Sequence, residues 1–190
     1  MVGNQPLSLE EIEFVRKEIR RIEADESVFV FNDPMHPKTC YAPTEDKVFV
    51  GRNIFPDLEY GSTHPRDKMS IACVLAHEYY GHRMFRQEYL EDVDKGVVTT
   101  PKWEDEVRAS INAGKITPGL SRLEQSYLID DAIVWAEEFG QRIKNDAFMK
   151  EILYGYPGED KHIAGKFGEP IHFIGDAGED ADVREWARNG

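Results

Sequence analysis

The residues best suited to chemistry stand together at His77-Glu78-Tyr79-Tyr80-Gly81-His82. Two imidazoles beside a glutamate on one helix offer a divalent cation two nitrogen ligands. They also place a base next to the water the cation polarises, as H-E-x-x-H helices do for zinc. The spacing here departs from that pattern by one residue. On an ideal helix, residues four apart differ by about 40° and share a face, whereas residues five apart diverge by about 140°. Gly81 answers the difficulty. A glycine just before the second histidine lets the helix take up one extra residue as a single-turn bulge, a distortion that concentrates at functional sites. With that residue absorbed, the two rings converge again.

The string H-E-x-x-G-H resembles the first motif of the dipeptidyl peptidase III family of zinc peptidases, whose second motif reads E-E-x-R-A-D. Asp105-Glu106-Val107-Arg108-Ala109-Ser110 is similar to that second motif, with Asp105 in place of the first glutamate and Ser110 in place of the last aspartate. The resemblance implies a zinc site with His77, His82 and Glu106 as ligands and Glu78 as general base, and with Asp105 as a carboxylate orienting a ligand histidine. It is a resemblance of site, not of membership. The runs HEYYGHRMFR, WEDEVRAS and LIDDA are also similar to a zincin-like domain of phage head-morphogenesis and other mobile-element proteins. That second resemblance implies a small zincin with a short sheet packed beside the active-site helix.

The third ligand has rivals on the long helix near the C-terminal end. Asp131 is the strongest, because D-A-x-x-W-A resembles a spacing around the third glutamate of some small zincins; Glu124, Glu137 and Glu138 read as a solvated face. Cys73, one turn before His77, reads as a buried helix cysteine. His36, His64, His162 and His172 read as surface residues. One of these, or Tyr79, Tyr80 or Tyr127, could donate a hydrogen bond to an oxyanion, and the sequence does not choose among them. The acidic tail GDAGEDADVRE lacks the D-x-D-x-D-G order of a calcium loop and reads as solvated.

Periodicity supplies the elements that must position these groups. Ser8 and Glu11 have the form of a capping box, and Ile12, Val15, Ile19 and Ile22 fall on one helical face. Residues 28–31 (VFVF) and 47–51 (KVFVG) are β-rich and separated by turn chemistry, so two or three short antiparallel strands are expected. A second helix should run from about 67 to 89 and carry the histidines, and WEDEVRASINAG reads as a short third helix. Ser121 and Glu124 form a second capping box, after which Leu128, Ala132, Trp135, Phe139 and Ile143 share a face. From Tyr154 the chain is rich in glycine and acids and reads as irregular. The expected fold is a single α+β domain over 1–190, mostly helical, with a short antiparallel sheet.

Composition narrows the function. At 190 residues a chain buries roughly 70% of the surface its unfolded form exposes, so it can build a core without disulfides, and two cysteines are too few for a disulfide scaffold. With 36 acidic and 23 basic residues the formal charge is −13, which argues against nucleic acid as a partner. No apolar run suits a membrane span and no signal peptide is visible, so a cytoplasmic location is expected, with export by a route lacking a cleaved signal left open. Two functional readings result. One is a zinc-dependent hydrolase, a peptidase acting on a peptide or protein substrate that the strand 47–51 could hold by backbone pairing. The other is a catalytically silent zincin-like module of a phage or mobile-element protein.

Overall fold

The computed structural model describes residues 5–56, 65–94, 102–144, 146–154, 172–174 and 184–185. The first helix, α1 (Leu9–Arg21), starts where the capping box places it: Ser8 Oγ accepts from Glu11 N at 3.2 Å and Glu11 Oε2 accepts from Ser8 N at 2.8 Å. Its Val15 and Ile19, with Ile22 just beyond, are buried against a three-stranded sheet and a later helix. Each such side chain contributes about 1.5–3 kcal/mol by leaving water.

The sheet comprises β1 (Phe29–Phe31), β2 (Cys40–Ala42) and β3 (Lys47–Val50). It is mixed, where an antiparallel sheet was expected: β3 lies in the centre, parallel to β1 and antiparallel to β2. The chain reverses after β1 and again at 43–46, and β3 then inserts between its predecessors. Burial explains the order. Val48, Phe49 and Val50 are all buried, so β3 takes the position covered on both sides, while the half-buried Cys40, Tyr41 and Ala42 take an edge.

The expected helix over 67–89 is divided. A short turn of helix, α2 (Pro65–Lys68), ends before Ser70, whose hydroxyl caps α3 (Ile71–Ala76) by accepting from Cys73 N at 3.2 Å. A π-helical turn covers His77–His82, a 3-10 turn covers Arg83–Phe85, and α4 (Arg86–Asp94) follows. Then come α5 (Lys102–Ile116) and α6 (Arg122–Glu138). The second capping box is present at Ser121, but α6 stops short of the expected Ile143. Gly140 at φ 68° turns the chain out of the helix, leaving Phe139 exposed and Ile143 in β4 (Arg142–Ile143). After α7 (Ala147–Tyr154), β5 (His172–Ile174) and β6 (Arg184–Glu185) complete a second small sheet in the order β4–β5–β6. These strands interrupt a tail expected to be irregular, and the rest of that tail lies outside the described residues. The architecture is a mostly helical α+β fold. No helix among the described residues is long and apolar enough to cross a membrane.

Two cores flank the histidine segment. One joins α1, the first sheet and α3 through Ile19, Val48, Val50, Ile54 and Leu75; the other joins α5, α6 and α7 through Val107, Ile111, Ile129 and Met149. Between them Met69, Cys73, Ala76, Ala113 and Leu128 form a third cluster, so α3 is packed on both sides. Glu124 ties the same elements electrostatically. Its carboxylate accepts from Arg21 Nη2 at 2.6 Å, Ser121 N at 2.9 Å and Ser70 Oγ at 2.7 Å.

Burial opposes the charge on Glu124, but these donors outweigh it and hold its pKa at about 2, below the ordinary 4.5. A depressed carboxylate pKa stabilises the fold fully above the unfolded value and loses that contribution as pH falls through the folded one. Glu124→Gln is therefore expected to lower stability by about 2 kcal/mol at pH 7, allowing for the solvent screening of Arg21. The gap between variant and parent should close as pH falls from 5 toward 2. Denaturant titrations across that range measure it.

Candidate metal centre

The histidine segment has the form its spacing demands. Arg83 N donates to Glu78 O, five residues back, which is the hydrogen bond of a π turn. The two rings come to 4.7 Å between centroids and lie nearly perpendicular. The cause differs from the expected one. Ala76, His77, His82 and Arg83 all keep right-handed helical angles, and Gly81 is not among the glycines of positive φ, so backbone freedom is not what the glycine supplies. It supplies room. A Cβ on Gly81 would lie 2.5 Å from Ala109 O and 2.9 Å from Ala109 Cα, so only glycine lets α5 approach this closely.

That approach brings Glu106 to the histidines. His77 Nε2 lies 3.1 Å from Glu106 Oε2 and 3.1 Å from His82 Nε2, and His82 Nε2 lies 3.8 Å from Glu106 Oε2. His77, His82 and Glu106 are the one such group of potential metal ligands among the described residues, and they could hold a metal ion. The three atoms lie within 3.8 Å of one another, close enough to share one ion.

Each ring turns its other nitrogen to an oxygen. His82 Nδ1 lies 3.2 Å from Asp105 Oδ2, and His77 Nδ1 lies 2.9 Å from Ser110 Oγ. A carboxylate can only accept, so His82 presents its proton to Asp105 and its Nε2 to the cluster. The site thus gathers two ring nitrogens and a carboxylate oxygen around one point, each able to give an electron pair to a metal once any proton on it has left. Its electrostatics are those of a place prepared for positive charge. Burial opposes ionisation of His82, but hydrogen bonds to Asp105 and Glu106 and the nearby charge of Glu78 raise its pKa to about 10. Burial likewise opposes the charge on Glu106, yet His77 and His82 hold that carboxyl far below the ordinary carboxylate range. Asp105 is also lowered: its burial is outweighed by His82 and Arg108.

The expected base, Glu78, stands next to His77 with Oε2 accepting from Tyr41 N at 2.8 Å. The β2–β3 hairpin that carries Tyr41 is clasped to the segment after the π turn. Arg83 donates to both oxygens of Asp46, Tyr41 Oη donates to the same carboxylate at 3.0 Å, and Arg86 Nε donates to Pro43 O at 2.7 Å. The edge strand is therefore fixed relative to the base.

The rival ligands lie elsewhere. Asp131 is fully buried behind the ligand atoms, bonded to Ser110 and Arg66. Glu124 belongs to the structural network of α1 and α6, and Glu137 and Glu138 are exposed. Cys73 is buried, its Sγ near Ser70 Oγ and Glu124 O, and burial raises its thiol pKa to about 12. Tyr79 Oη accepts from Asp25 N and Tyr80 Oη donates to Ile22 O, both away from the cluster, while Tyr127 packs against the Met69–Cys73 cluster. His36 stacks on Phe49 beside Asp33 and Glu45. His64 and His162 lie outside the described residues, as does the side chain of His172.

Sequence reasoning missed Arg66, whose Nη2 donates to Glu106 Oε2 at 2.9 Å. It also passed over Ser110 and the backbone of Tyr41. For Ser110 a signal existed, since it fills the last position of the second motif; Arg66 and Tyr41 carry none in spacing or periodicity. Comparison of the chain with family models, with curated proteins and with solved structures finds no match.

Proposed function

We propose that this protein is a zinc-dependent hydrolase that cleaves peptide bonds, with His77, His82 and Glu106 as ligands and Glu78 as general base. The observation that carries the reading is the convergence of the two Nε2 atoms and Glu106 Oε2 at 3.1, 3.1 and 3.8 Å beside a glutamate that is not itself one of the three. Two imidazoles and one carboxylate suit zinc better than calcium or magnesium, which take oxygen ligands. When bound, zinc supplies Lewis acidity and brings the pKa of water toward about 7.

The chain's own residues do the rest. Glu78, anchored through one oxygen on Tyr41 N, uses the other to take a proton from the attacking water and to return it to the leaving amine. Asp105 holds the His82 ring in orientation. Backbone pairing with an extended substrate falls to β2 rather than to the strand expected from sequence, because β3 is central and β2 is the edge strand that reaches Glu78. Tyr41 directs its N–H to Glu78, so its carbonyl, on the same side of the strand, is the acceptor for a substrate N–H.

Elemental analysis of purified protein dialysed against zinc, together with cleavage of a generic peptide pool, tests this reading. The expected result is about one zinc per chain and cleavage that is lost on chelation and restored by zinc alone. Failure to retain zinc overturns the metal assignment. Zinc retention without cleavage of any peptide favours the silent module.

A further inference from the structure

Behind the ligand atoms runs a line of polar side chains, part-exposed at Arg66 and buried from Asp131 to His77. Arg66 Nε reaches Asp131 Oδ1 at 3.3 Å and its Nη2 reaches Oδ2 at 3.2 Å; Ser110 Oγ lies 2.7 Å from Asp131 Oδ2; His77 Nδ1 lies 2.9 Å from Ser110 Oγ. The direction of this line follows from donor chemistry. A guanidinium only donates, so both oxygens of Asp131 accept. The hydroxyl of Ser110 has one proton, which goes to Asp131, so its lone pairs face the imidazole and His77 Nδ1 must carry the hydrogen. His77 Nε2, 3.1 Å from both His82 Nε2 and Glu106 Oε2, is then the nitrogen left to face a metal.

We infer that Asp131, acting through Ser110, is a positioning residue that fixes both the orientation of the His77 ring and the nitrogen that bears its proton. The inference deepens the zinc reading and rests on it for its purpose, though the proton placement stands on the hydrogen bonds alone. Each ligand histidine then has a carboxylate behind it: Asp105 directly behind His82, and Asp131 one hydroxyl removed from His77. Ser110 and Asp131 are both fully buried, so solvent has no ready access to replace either partner. Arg66 bonds Glu106 Oε2 as well as Asp131, which sets the third ligand and the relay in common register across α5 and α6. Without the relay, Nδ1 loses its acceptor. The tautomer with hydrogen on Nε2 then gains, because that hydrogen can be given to Glu106 Oε2 at 3.1 Å, and it occupies the electron pair a metal needs.

The test uses the full chain and two readouts. Long-range proton–nitrogen spectra of the metal-free protein report which nitrogen of His77 carries hydrogen, and competition with a chromophoric chelator reports zinc affinity. In the parent, His77 should be protonated at Nδ1. In Ser110→Ala and in Asp131→Asn Nδ1 should lose its hydrogen, leaving Nε2 as the protonated nitrogen, and zinc affinity should fall by about 10- to 100-fold, the range typical of lost outer partners. A folded Ser110→Ala protein with the parent's nitrogen spectrum and zinc affinity overturns the relay. If Asp131→Asn does not fold, Ser110→Ala decides alone. If the parent takes up no zinc, the metal reading falls and the nitrogen spectrum still decides whether the relay exists.

Discussion

Gly81→Ala is expected to weaken zinc binding by at least about a hundredfold and to destabilise the metal-free protein by about 3 kcal/mol, at the upper end of what overpacking does. Propensity alone predicts the opposite sign, since alanine in place of a helical glycine is worth up to about 1 kcal/mol. The sign is decided by what the new Cβ meets. Its neighbours at 2.5 and 2.9 Å are the carbonyl oxygen, carbonyl carbon and Cα of Ala109, backbone atoms with no rotamer to change. Relief requires α5 to back away. Ala109 lies one turn from Glu106 on that helix, so the displacement is carried to the carboxylate, whereas metal sites tolerate only about 0.2 Å of error in a ligand distance. Gly114→Ala is the control. Its Cβ would touch Leu128 Cβ at 3.7 Å and nothing nearer, and in the same helix it should be neutral or stabilising. Denaturant titration of both variants without metal, and chelator competition with it, check the pair. Parent-like zinc affinity in a stable Gly81→Ala protein would contradict the account of the close approach.

How far the sequence could be read follows the range of the interactions. The capping boxes at Ser8 and Ser121 are three-residue events, and both helix starts were legible because the donor and acceptor lie within the same turn. The π turn was legible as a necessity, since five-residue spacing demands it, but its cause was not. The contact that makes glycine obligatory comes from Ala109, and no local pattern of residues 77–82 contains it. The mixed sheet was hidden for a related reason. Cys40-Tyr41-Ala42 carries no strong strand signal, and the choice of β3 for the centre depends on burial by α1 and α3 rather than on the strand itself. Asp131 was weighed as a ligand because its position on a helix is visible from sequence, yet its role depends on Ser110, 21 residues away, and on Arg66, 65 residues away. Arg66 itself, in a segment rich in loop-forming residues, had nothing to distinguish it from a surface cation until α2 was placed against α6.

Replacing Glu78 by glutamine is expected to reduce peptide cleavage by about 10³-fold or more while leaving zinc affinity within about threefold of the parent. Glu78 is not one of the three converging residues; its Oε2 accepts from Tyr41 N at 2.8 Å, and the amide oxygen of glutamine can accept the same bond. Stability and the position of the hairpin should therefore be unchanged. What glutamine cannot do is hold a proton between its removal from water and its delivery to the amine, so the loss should fall on kcat more than on KM. Glu78→Asp separates chemistry from reach. It retains the carboxylate but is one methylene shorter, so it cannot both keep the Tyr41 anchor and occupy the position of the parent oxygen, and an intermediate loss is expected. If glutamine supports parent-level cleavage, the base is another group and the role given to Glu78 fails. If glutamine and aspartate are equally inactive while zinc affinity collapses in both, Glu78 serves the metal rather than the proton.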